Sequence, residues 1–135
     1  MTNYIAILVA GIISMVIGAF WYSPKVFGTS WAKLAGLTEE SMQKAKEKGM
    51  GKLYLTNFIT VLVTASVFSY FIKMLSITDL SGSTKAAFLI WLGFGAAKGV
   101  GSIIWEQRPI KLFFINTLHD LISLVVMGGV LTLMQ

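Results

Sequence analysis

Cysteine is absent from the chain, and histidine occurs once, as His119. Disulfide frameworks, thiolate metal sites, cysteine nucleophiles and multi-histidine metal centres are thereby excluded. Charge is scarce as well. Asp, Glu, Lys and Arg together make up 13% of the 135 residues, where an ordinary soluble domain carries about a quarter. The chain has two prolines, Pro24 and Pro109, and neither falls inside a long apolar run. No Walker-type glycine loop, no HExxH pattern and no paired carboxylates occur, so no metal, no cofactor and no catalytic residue is implied.

What is present is apolar. Hydrophobic residues make up 56% of the chain and the mean hydropathy is +0.76. Four runs, 4–22, 53–75, 86–105 and 111–134, are each long enough to cross a hydrocarbon layer as a helix, for which about 20 residues suffice. They are too uniformly apolar to alternate as barrel strands, and a backbone in lipid must satisfy its own hydrogen bonds. The expected fold is therefore all-α: a four-span transmembrane helix bundle forming one integral membrane domain over 1–135. The first run is followed by no small-residue cleavage site, which favours a retained helix over a removed signal peptide.

The formal net charge of +5 follows from topology. Segment 23–52 holds Lys25, Lys33, Lys44, Lys46, Lys48 and Lys52, and the turn between the last two runs holds Arg108 and Lys111. The other side has only Lys73 and Lys85. Eight basic residues against two place segment 23–52 in the cytoplasm and both termini outside. No nucleic-acid partner is needed to explain the charge.

Segment 23–52 reads as two short helices. Ser23-Pro24 offers an N-cap and a first helical residue, and Phe27, Trp31 and Leu34 then recur at helical spacing beside Lys25 and Lys33. This predicts a short amphipathic helix in the cytoplasmic interface, its aromatics at headgroup depth and its lysines toward anionic lipid headgroups. A second helix is expected from Thr38 as cap, with Glu39 and Glu40 in its first turn, lysines late and Gly49 as its stop.

Three stretches carry a family resemblance: Gly18-Ala-Phe-Trp-Tyr-Ser-Pro-Lys-Val-Phe-Gly28 with Trp31 following, Ala87-Phe-Leu-Ile-Trp-Leu-Gly-Phe94, and Trp105-Glu-Gln-Arg-Pro-Ile-Lys-Leu-Phe-Phe-Ile-Asn116 running into Met127-Gly128. Together they resemble the small bacterial membrane family known as domain of unknown function 1761. The resemblance implies a four-span protein of the bacterial inner membrane and implies no activity.

Ionisable groups within apolar spans mark a functional site by default. Counted from the cytoplasmic ends of their spans, Lys98 and Asp120 lie about 10 Å and 13 Å deep. The short turn between their spans makes these helices antiparallel neighbours, so Lys98 is expected to pair with Asp120. Asn116, His119, Ser14 and the stripe of Asn57, Thr60 and Thr64 extend this polar core, the stripe facing other helices. His119 and Asp120 are expected to point apart, being about 100° apart on the helix. Gly95 and Gly99 in span three, and Ala10, Ser14 and Gly18 in span one, offer small-residue faces for helix contact or a homo-oligomer. A structural or accessory membrane protein needs the fewest assumptions; the alternative is a small-solute or proton binding and transport module around Lys98 and Asp120. An enzyme comes last, because no carboxylate can orient His119 toward Ser123.

Overall fold

The computed structural model describes residues 3–135. The helices are α1 (Tyr4–Trp21), α2 (Gly28–Leu34), α3 (Glu39–Lys48), α4 (Gly51–Met74), α5 (Leu80–Ile104) and α6 (Ile110–Leu133), and there is no strand among the described residues. The four long helices, α1, α4, α5 and α6, are each long and apolar enough to cross a membrane.

The four predicted spans are all found, with one displaced boundary. Helix α5 starts at Leu80 and not at Ala86, because the Asp79 side chain accepts a 2.7 Å hydrogen bond from the Gly82 backbone and caps a polar first turn. The helix predicted from Thr38 is α3. The Thr38 hydroxyl accepts from Ser41 N at 3.0 Å, and Gly49 ends the helix at a φ of +92°. Ser23-Pro24 does not open a helix. Residues 23–27 make tight turns and α2 begins at Gly28, whose N–H bonds Ser23 O. A β-carbon there would lie 2.2 Å from Tyr22 O, so this approach requires glycine. The aromatics of this region meet the chain's own rings: Phe27 lies against Trp21 and Trp31 edge-on to Tyr22.

Helix α6 is the central element, packed against α5, α1 and α4, and α1 also packs on α4. Helices α4 and α5 flank α6 without forming a packed pair of their own. The buried core gathers at the end of the bundle farthest from segment 23–52, where Ala6, Ile7, Ala10, Ala65, Phe68, Ile72, Ala87, Met127 and Leu131 meet. Gly128 lets the Phe68 ring approach so closely that a β-carbon would sit 2.8 Å from it. In lipid such contact is itself the stabilising term, since apolar surface gains nothing by leaving an apolar solvent. Asn3 closes this end, accepting from Ala6 N and donating to Met134 O.

The small-residue positions are used within the chain except Gly95, whose neighbour is Trp91 of its own helix. Ala10 and Ser14 are buried, a β-carbon on Gly11 would strike Leu62, and one on Gly99 would lie 3.0 Å from Phe113. Helix α5 is wound as a π-helix over Trp91–Ala96, across Gly93 and Gly95. The Trp91 indole N–H anchors this stretch by donating to Thr117 O at 2.7 Å. Low helix propensity in a glycine-rich run makes the wider turn accessible.

Candidate functional site

The end of the bundle nearer segment 23–52 is open. A cavity of about 430 Å³ lies between α1, α4, α5 and α6, lined by Ser14, Asn57, Val61, Thr64, Phe94, His119 and Asp120 among others. A second, of about 860 Å³, shares Ser14, Asn57, Val61, His119 and Asp120 with the first and runs past Tyr22, Trp31, Tyr54 and Asn116. A third, of about 790 Å³, shares Tyr22, Pro24, Trp31 and Tyr54 with the second and ends among Lys33, Glu39 and Lys46. Through these shared walls the three cavities line up as a cleft from the interior of the bundle toward segment 23–52.

Its polar centre is on α6. His119 Nδ1 and Asp120 Oδ1 are 3.3 Å apart, the imidazole side chain 18% exposed and the carboxylate 57%. The two side chains therefore converge, against the expectation that they point apart. Their rotamers fold toward each other although their α-carbons sit at different azimuths. The imidazole lies 5.1 Å from the Tyr22 ring and 6.3 Å from the Trp21 six-five ring system, centre to centre. Its Nε2 is buried without a hydrogen-bond partner and lies under Gly18, where a β-carbon would be 3.5 Å away.

A ring of hydrogen bonds fixes the walls. Tyr22 OH donates to Asn116 Oδ1 at 2.7 Å, Trp21 Nε1 donates to Ile115 O at 2.9 Å, and the Ser14 and Ser123 hydroxyls share a buried 2.5 Å bond. These tie α1 to α6 at three levels. Ser123, Tyr22 and Trp21 were not among the residues singled out for the polar core. The signal for the aromatic pair was their position at the end of span one, each with a polar handle and an apolar ring.

Lys98 is not part of this centre. It is exposed on α5 and is not within ion-pairing distance of Asp120, whose contact is His119. The face that α5 presents to α6 carries Ser83, Ala87, Trp91 and Gly99, and Lys98 lies about 100° from Gly99. The expected Lys98–Asp120 pair is thus absent.

The stripe on α4 divides. Asn57 and Thr64 line the cleft and Thr60 does not, all three are exposed, and Thr60 and Thr64 donate to carbonyls of their own helix, Asn57 O and Thr60 O. Asn57 donates to Met15 Sδ at 3.3 Å. The stripe therefore borders open space, and of its three residues Asn57 alone bonds to another helix, α1. Lys25 and Lys33 are exposed beside the half-buried Phe27 and Trp31.

Four long apolar helices around a polar cleft define a small integral membrane protein of the all-helical class. The chain belongs to the family described as Protein of unknown function (DUF1761), whose family model matches residues 5–132. Comparison with curated proteins and with solved structures finds no match.

Proposed function

We propose that this protein is a membrane binding module whose cleft holds the cationic, amine-bearing end of a small molecule against Asp120. The observation that carries this reading is the carboxylate itself. It lies ten residues into α6, about 15 Å along a helix suited to span the membrane, yet its side chain is 57% exposed and opens into a cavity. A carboxylate at such depth is costly unless a cation or hydrogen-bond donors cover it. The surrounding rings of Tyr22, Trp31 and Tyr54 suit an organic cation, which is drawn to aromatic faces. A purely structural or accessory role would be served by a polar core sealed between helices, and the open cleft weighs against it. Neither a transport cycle nor catalysis is needed for this reading.

The reading places the protein in the bacterial inner membrane with segment 23–52 in the cytoplasm and both termini outside. The eight-to-two distribution of basic residues supports that orientation. Lys25 and Lys33 would then meet anionic headgroups. A homo-oligomer through a small-residue face would use the one around Gly95, whose nearest neighbour is Trp91 of its own helix.

Thermal unfolding in a neutral detergent tests the central claim. Butylamine should raise the midpoint where 1-butanol does not, and Asp120→Asn should abolish the difference. Equal responses to amine and alcohol, or an amine effect that survives Asp120→Asn, would refute it.

A further inference from the structure

We infer that the occupant of the cleft is an amphiphile that enters sideways from the bilayer through the gap between α4 and α5. Its amine meets Asp120 and its chain stays among the lipids. The inference rests on the proposed function and names the class of ligand.

Three observations carry it. First, α4 and α5 both pack on α6 but form no packed pair, while Val61 and Thr64 of α4 and Ile90 and Phe94 of α5 line the same cavity as Asp120. The cavity is thus bounded by two helices with a gap between them. Second, the α5 side of that cavity is apolar and unsheltered: Phe94, which lines it beside Ile90, is 75% exposed. At the depth of Asp120, about 15 Å from the end of its helix, the surroundings of a bilayer with a core of about 30 Å are hydrocarbon. A ligand lodged there through the gap must carry an apolar part. Third, the other route discourages a cation. The cleft reaches segment 23–52 between Lys33 and Lys46, with Glu39 as the acidic residue among its lining groups, and like charge at an entrance lowers the local concentration of the ion. The π-wound stretch of α5, Trp91–Ala96, contributes Phe94 and Gly95 to this wall of the cavity.

Because the chain has no cysteine, a Phe94→Cys variant carries one thiol, placed at the rim. In lipid nanodiscs its labelling rate by a lipid-soluble pyrenyl maleimide reports whether the gap is free. Dodecylamine at about ten times its apparent Kd should slow labelling about tenfold. Dodecanol should not, and neither should dodecylamine when Asp120→Asn is added. Butylamine should raise the unfolding midpoint without slowing labelling. Stabilisation by dodecylamine with an unchanged labelling rate would overturn lateral occupancy while leaving amine binding at Asp120 intact. If neither amine stabilises the protein, the proposed function fails and the inference with it. A thiol that is unreactive without ligand, and that cross-links to a second copy, would show the gap to be a subunit interface and overturn the inference.

Discussion

Gly18 of α1 stands directly over the imidazole of His119 of α6, with 3.5 Å between the position a β-carbon would take and Nε2. The spacing sets how far a side chain at residue 18 can grow before it displaces the ring. It also keeps His119 beside Tyr22 and against Asp120, where the cleft has its polar centre.

Gly18→Ala places its methyl at ordinary contact distance and should leave the unfolding midpoint nearly unchanged. Gly18→Leu must drive the imidazole aside, and overpacking of this kind costs about 1–3 kcal/mol. Its unfolding midpoint should fall and the response to butylamine should disappear. A fully stable, amine-responsive Gly18→Leu protein would show that the ring does not need its place under α1.

Lys98 and Asp120 should behave independently. In a cycle of Lys98→Met, Asp120→Asn and the double variant, followed by thermal unfolding, the two effects should add within about 0.5 kcal/mol. A double variant markedly milder than the sum of the singles would mean that the two charges pair after all.

Tyr22 and Asn116 should couple. Their 2.7 Å bond joins the end of α1 to α6, and a neutral hydrogen bond of this type is worth about 0.5–1.5 kcal/mol. Tyr22→Phe and Asn116→Leu should each lower the midpoint, and together they should cost less than their sum. Strict additivity would place the bond outside the energetics of the fold.

The closed end of the bundle should be the more sensitive to volume. Gly128→Ala puts a β-carbon 2.8 Å from the Phe68 ring, which is 2% exposed and has no free side to turn to. A loss of about 1–3 kcal/mol is expected, read as a lower midpoint with the amine response retained. No change would mean that the ring yields more readily than its burial suggests.

The spans were legible because hydropathy alone decides which segments suit lipid, and the cap at Thr38 was legible because its chemistry is local. The azimuths of side chains were not. Lys98 and Asp120 share a depth, which a residue count gives, but facing each other depends on the phase of each helix about its axis. On α5 that phase is set by Trp91 reaching Thr117 O, by the π-wound turn around Gly93 and Gly95, and by Gly99 against Phe113. None of these is written in the hydropathy. The start of α5 was hidden for a different reason: Ser81, Gly82 and Ser83 look like a loop until Asp79 caps them. The cleft was only half visible, since its polar residues could be named but their exposure depends on helices that diverge.

The grip of Phe68 on Gly128 also shows how unevenly α4 is held. From Phe68 to Leu53 is about 22 Å of helix, and along that length its partner is α1, through Leu62 and Phe58 at Gly11 and Asn57 at Met15. The wall of the cleft that carries Asn57 and Val61 is therefore steadied from one side only, and a bulkier residue at Gly11 would push that wall outward without touching Asp120.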